Sequence, residues 1–153
     1  MAQIDDSVPV WADCLIEFSE DGVAWEECSP VMTALDPTGG DRLTGEVLTF
    51  NADSHVLGTG ARQPVTINGR VVFQNNGLSF WQTLNDAYED NSDFWLRWFP
   101  NGGAEGDIGH QTNAGRIIAQ PMAAQGEASN ASPLTCEFSL RTDEVNVVVR
   151  AAS

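Results

Sequence analysis

The chain has 153 residues and 42% hydrophobic content, the size of one domain and enough apolar material to build a core without staples, which excludes wholesale disorder. Its net charge is −15, from 22 acids and seven bases, all of them arginine, so it lacks the material for a large basic patch of the kind that grips nucleic acid through its phosphates. No apolar run approaches the roughly 18 residues of a membrane span, and Met1–Asp6 has no basic region followed by an apolar stretch, so neither a transmembrane protein nor a Sec-type precursor is expected.

Residues 1–10 are polar, contain Pro9, and read as an extended arm. Trp11–Phe18 reads as a strand, Ser19–Gly22 as a turn and Val23–Cys28 as the returning strand, with Val31–Leu35 continuing the sheet. Residues 36–64 read as a long loop region. Within it Asp36–Asp41 is a loop by composition, a strand lies at about 43–50, and Asn51–Gln63 is a further loop broken by Gly58 and Gly60. Val65–Phe73 is a clearer strand. Val65, Ile67, Val71 and Phe73 share one face and Thr66, Asn68 and Arg70 the other, while Gly69 marks a bulge or a close approach.

The period then changes. Ser79 and Gln82 fit a capping box, and Phe80, Trp81, Leu84, Ala87 and Tyr88 recur at helical spacing, so a helix is expected over 80–89, ending near Asn91. Its acids (Asp86, Glu89, Asp90) sit toward the end that the helix dipole disfavours, so the aromatic stripe must hold it by packing. Phe94–Phe99 is an aromatic strand with both faces covered, central in a sheet or buried at a subunit contact. Asn101–Asn113 reads as a glycine-rich loop, and Gly115–Gln120, Leu134–Arg141 and Val145–Val149 as strands. In the second of these, Leu134, Cys136, Phe138 and Leu140 point inward and Thr135, Glu137, Ser139 and Arg141 outward. The sum is one mainly-β domain over 1–153, a sandwich or partial barrel with one flanking α-helix.

Catalytic parts are scarce. His55 and His110 lie in expected loops, with no i, i+4 partner and no neighbouring cysteine ligand. There is no G-x-S-x-G elbow. The run Gly102–Gly109 lacks the Gly-Lys-Ser/Thr ending of a phosphate loop and carries acids that repel phosphate. Counted from Asp36, position 12 of an EF-hand loop is Val47 rather than an acid. Adjacent acid pairs such as Glu26/Glu27 point to opposite faces of a strand, which suits no two-carboxylate site. Cys14, Cys28 and Cys136 are odd in number and far apart, and read as buried free thiols. No catalytic, cofactor-binding or metal-binding residues are therefore expected. Five tryptophans and a charged content of 19%, below the roughly 25% of ordinary domains, fit a subunit that buries surface against copies of itself; they equally fit an ordinary β-sandwich core.

The order of features resembles the tail tube (major tail) proteins of long-tailed bacteriophages. It runs from an arm and a hairpin through the long 36–64 stretch to Val-Thr-Ile-Asn-Gly-Arg-Val-Val-Phe (65–73) and the amphipathic helix Phe80–Tyr88. An aromatic strand ending Trp-Phe-Pro-Asn-Gly (98–102), then Arg-Ile-Ile-Ala (116–119) and Cys-Glu-Phe-Ser-Leu (136–140), complete it. The resemblance implies two packed antiparallel sheets with one flanking helix. Copies, six by the family's pattern, close into a ring around a lumen, and rings stack into a tube that passes double-stranded DNA during ejection. It implies no enzyme activity and no cofactor. Partners would be the chain itself and other tail proteins such as tape measure, terminator and baseplate or sheath, with the protein located in the virion tail after synthesis in the host cytoplasm. The arm and the long loop region would make ring-to-ring contacts, with Asp5, Asp6, Pro9, Asp41, Arg42, His55 and Arg62 as candidates. DNA carries one charge per about 1.7 Å of axis and the Debye length in physiological salt is about 8 Å, so an acidic lumen would keep it mobile. Glu17, Glu46 and Glu137 are the candidate lumen acids. Two other roles remain open: a monomeric β-sandwich binding module for a carbohydrate or surface ligand, and a tail terminator or secretion-tube subunit of similar fold.

Overall fold

The computed structural model describes residues 10–48, 55–75, 79–124 and 131–151. After a 3-10 turn at Trp11–Asp13, β1 (Leu15–Ser19) is followed by β2 (Glu26–Glu27), a second 3-10 turn (Ser29–Val31) and β3 (Met32–Gly39). Next come β4 (Arg42–Leu48), β5 (His55–Arg62), β6 (Val65–Val72) and helix α1 (Phe80–Asp90). The chain ends with β7 (Trp95–Phe99), β8 (Ile108–Thr112), β9 (Gly115–Ala119), β10 (Ala123–Ala124), β11 (Thr135–Thr142) and β12 (Val145–Val149).

Two antiparallel sheets form the body. The first has the order β12-β8-β7-β1-β2, and the second β10-β11-β6-β3, with β9 also pairing β11. β4 and β5 make a separate two-stranded ribbon. The sheets are stitched at one corner by Phe94 and Gly115, whose backbones exchange hydrogen bonds of 2.9 and 3.0 Å. Between the sheets lie Ile16 and Phe18 of β1, Leu96 and Trp98 of β7, Ile67 and Val71 of β6, and Cys136, Phe138 and Leu140 of β11, all buried. The Phe18 and Phe94 rings stack in parallel at 5.8 Å, and Phe80 brings α1 against Phe18 at 4.7 Å and edge-on to Phe138 at 6.3 Å.

Helix α1 begins as its capping residues dictate. The Ser79 hydroxyl accepts from the Gln82 N–H at 3.2 Å, which satisfies one of the unpaired N–H groups at the helix start. Gln82 itself reaches forward to Asp86 rather than back to the cap. Asn91, at φ 52°, closes the helix in the left-handed conformation. Phe80, Leu84 and Ala87 are buried, and the Trp81 indole N–H donates to the Pro121 carbonyl at 2.7 Å.

Several segments differ from the sequence expectation. Trp11 is exposed in a turn, so the first strand starts at Leu15, and the returning strand shrinks to Glu26–Glu27. Asp36–Gly39 is strand, not loop. β3 has β6 as its sole strand partner among the described residues, and Pro37, opposite Ile67, occupies this edge position, where a missing N–H disturbs no second ladder. Residues 36–64 are thus largely strand, with β5 running through most of the expected 51–63 loop. The 101–113 loop ends early, at β8. Leu134 lies outside the strand and is exposed. At Gly69 the close approach is real: a Cβ there would lie 2.5 Å from Cε1 of Phe138, whose ring fills the gap above the glycine.

Candidate assembly surfaces

The outward face of the second sheet is a ladder of polar pairs. Its strands β6 and β11 align Arg70 with Glu137, Asn68 with Ser139 and Thr66 with Arg141. Each pair is bonded across the strands. Arg70 Nη2 donates to Glu137 Oε1 at 2.6 Å, the Ser139 hydroxyl to Asn68 Oδ1 at 2.6 Å, and Arg141 Nη1 to the Thr66 hydroxyl at 3.4 Å. On β3, Thr38 donates to the Thr66 carbonyl, and Asp36 stands opposite Asn68 on the same face. On β9, Arg116 sits opposite Arg141 and pairs with Asp93 at 2.9 Å. Part of this face forms an open hollow of about 810 Å³, lined by Asp36, Asn68, Arg70, Glu137, Ser139 and Met122 among others.

The first sheet's outward face is built differently, around a buried acid. Glu17, 7% exposed, accepts from Arg97 Nε at 3.1 Å and from Arg150 Nη1 at 2.7 Å, both at Oε1. Arg150, just beyond β12, spans β8 and β7 to reach Glu17 on β1. The Phe99 ring lies over Gly109 of β8, where a Cβ would be 2.5 Å from it. Both guanidinium groups lie near the Phe99 face, at 5.6 and 5.3 Å, and Trp25 covers Arg97 at 4.2 Å.

Besides Ile118, Met122 and Leu134 near the second sheet, and Val10, Trp11 and Val23, two groups of apolar side chains are exposed among the described residues. On the core-side face of β8 and β12, Ile108, Val147 and Val149 extend beyond the covered core. On the ribbon, Leu43, Val47 and Leu57 are exposed. An isolated two-stranded ribbon is marginally stable at best. Its base is anchored by Arg62, which donates to Glu144 Oε2 at 3.2 Å and to the Val145 carbonyl at 3.0 Å, while Arg42 donates to the Gly60 carbonyl at 3.1 Å across the ribbon.

The candidate residues fall in three places. Glu137 is exposed on the second sheet. Glu46, Asp41, Arg42, His55 and Arg62 all belong to the ribbon or its base. Glu17 is on the other sheet and is not an exposed acid at all: it is 7% exposed and bonded to two arginines, one of them covered by Trp25. Asp5, Asp6 and Pro9, with the rest of the arm up to residue 9, lie outside the described residues. Sequence reading placed Arg70 and Arg141 on outward faces but not opposite their partners, since strand pairing has no local signature. The valines at alternate positions of 145–149 were the available signal for the apolar strip.

Among the described residues no cluster of His, Cys, Asp and Glu has the arrangement of a metal site, and no helix is long and apolar enough to cross a membrane. The three cysteines are buried free thiols. Burial pushes the Cys14 thiol up to about 11, and burial, reinforced by the Glu17 and Glu27 carboxylates, pushes Cys28 higher still. An unfolded thiol ionises near 9.0, so the folded state holds these protons more tightly. The resulting stabilisation is complete below that value and is lost as pH rises toward about 11. Thermal unfolding is expected to be flat with pH between roughly 7 and 8 and to fall steeply above 9.0. A Cys14→Ala, Cys28→Ala variant loses less over the same range. At neutral pH the native protein's thiols are expected to resist alkylation until it is unfolded.

No family model and no curated protein matches the chain in sequence. Its fold matches several solved structures. The SPP1 tail tube aligns with a TM-score of 0.71 at 11% identity, covering 95% of this chain and 81% of that one. The sheath–tube complex of the PVC extracellular contractile injection system aligns at 0.68 with 13% identity over 93% and 91% of the two chains. The tail of a gene transfer agent particle aligns at 0.66 with 15% identity over 94% and 100%. The chain has the fold shared by tail tube and tube terminator subunits of phages and contractile injection systems.

Proposed function

We propose that the chain is a structural subunit of a phage-type tail tube. Copies join side by side into a ring, rings stack, and double-stranded DNA passes through the bore. The observation that carries this reading is the second sheet: a hollowed face of bonded polar pairs backed by a buried core, ending in edge strands β3 and β9/β10. Such edges are an invitation to pair with another chain, and head-to-tail pairing closes laterally into a ring. In this arrangement the polar face lines the bore. Six copies per ring is the number suggested by the gene transfer agent tail, refined with C6 symmetry.

The ribbon and the apolar strip of β8 and β12 then meet other copies, since each leaves apolar side chains exposed in one subunit. Asp41, Arg42 and His55 on the ribbon, with Asp5, Asp6 and Pro9 of the arm, are the proposed stacking contacts. Arg62 acts from inside its own chain, fixing the ribbon's base against β12. Of the three acids expected in the lumen, Glu137 keeps that role, Glu46 belongs to the ribbon, and Glu17 is withdrawn because it is enclosed. The subunit's other partners are the tape measure, terminator and baseplate or sheath proteins of the tail. The protein is made in the host cytoplasm and resides in the virion tail.

Negative-stain microscopy of the purified protein at high concentration tests the reading. Filaments of stacked rings are expected, and a protein that stays monomeric overturns it. A terminator role is the second reading, favoured by the anti-feeding prophage tube-terminating cap (TM-score 0.67, 14% identity, 97% and 94% of the two chains); it predicts isolated rings that never stack.

A further inference from the structure

We propose that the bore is a charge-compensated surface rather than an acidic one, and that Glu137 is the residue that stops Arg70 from holding the DNA duplex. This rests on the tail tube reading above, which puts the outward face of the second sheet toward the cargo. That face carries Arg70, Arg116 and Arg141 against Asp36 and Glu137, with Asp93 at its margin. Among the described residues the excess acid therefore lies largely elsewhere, in β2, the loop between β1 and β2, and the exposed end of α1. An acidic repulsive lining is not what these strands present.

The arginines on this face are instead engaged locally. Arg70 is bonded to Glu137 at 2.6 Å and Arg116 to Asp93 at 2.9 Å, and Arg141 is turned onto the Thr66 hydroxyl. Polyanion binding is driven by the release of counterions from the duplex as protein cations replace them. A guanidinium already matched by a carboxylate adds little to that exchange, because its gain from a phosphate is offset by the carboxylate it leaves or brings along. Arg70 and Glu137 are both well exposed, so the pair contributes little to stability. Its consequence is electrostatic, and it is multiplied by every copy around the ring and along the tube.

Glu137→Gln tests this directly, since it keeps the size and hydrogen-bonding of the side chain and removes only the charge. Assembled tubes of the wild type, Glu137→Gln, and the double variant Arg70→Gln, Glu137→Gln are mixed with a short DNA duplex and sedimented, with microscopy confirming that tubes are present. Wild-type tubes are expected to leave the duplex in solution. Glu137→Gln tubes are expected to pellet roughly tenfold more, and to lose it between about 50 and 200 mM salt, as a ring of some six freed cations implies. The double variant returns to the wild-type level. Intact Glu137→Gln tubes that pellet no more duplex than the wild type overturn the proposal and leave the tube assignment standing. Poly-glutamate retained by Glu137→Gln tubes in place of the duplex overturns the DNA assignment of the cargo. A protein that forms no tubes or rings at all overturns the tube reading itself, and this inference with it.

Discussion

Gly109→Val is expected to destabilise the protein by about 3 kcal/mol or more, at the upper end of what overpacking costs. A Cβ at this position would sit 2.5 Å from Cδ1 of Phe99 and 2.7 Å from the Trp98 carbonyl oxygen. A flexible side chain can yield to such a clash, but the carbonyl belongs to β7, the central strand of the first sheet. The Phe99 ring is 1% exposed and carries the two arginines that hold Glu17. Valine therefore pushes β8 away from β7 and unseats the ring together with the charges stacked on it. Gly109→Ala makes the same first contact with less bulk, so a graded loss across Gly, Ala and Val is expected. Urea unfolding followed by tryptophan fluorescence measures it, since Trp98 lies within this core. Equal stability of the three proteins would show that β8 is free to shift.

Gly109 also shows where the sequence stops being legible. Glycine within 101–113 signals a loop when read locally, and Gly109 sits between an isoleucine and a histidine with no alternating partner. Its reason for being glycine lies on β7, ten residues away in sequence and adjacent in space. Gly69 was easier, because the strand around it alternates cleanly and an interruption stands out. Even so, its partner Phe138 is known only through the β6–β11 register. The helix was legible nearly to the residue, since its cap, its apolar stripe and its end are all local. Only half of the ribbon was: the strand expected at about 43–50 is β4, whereas β5 lies in an expected loop, because its described side chains are exposed and burial imposes no period-two pattern on them. The candidate surface follows the same rule. The outward residues of β6 and β11 were readable strand by strand, whereas the pairing of Arg70 with Glu137, and the enclosure of Glu17, depend on which strands become neighbours.

Glu17→Ala is expected to cost about 3 kcal/mol, because it removes the acid and leaves two guanidinium groups facing each other. The full penalty for stripping a buried pair, about 3–5 kcal/mol, is reduced here by exposure: Arg97 and Arg150 side chains are 18% and 32% accessible, so water screens part of the repulsion. The damage has a direction. Arg150 follows the edge strand β12, and its bond to Glu17 ties that strand across β8 and β7 to β1. Without the acid the end of β12 loses its hold, and amide exchange should accelerate at Val147–Arg150 before it does in β7. Glu17→Gln separates charge from hydrogen bonding: it retains an acceptor for one arginine but not the charge that matches two, and should fall between wild type and alanine. Arg150→Ala in the Glu17→Ala background should recover part of the loss, since one of the two unmatched cations is gone. Additive losses in that double variant would show that the three residues act independently and that the C-terminal strand is held by its backbone ladder alone.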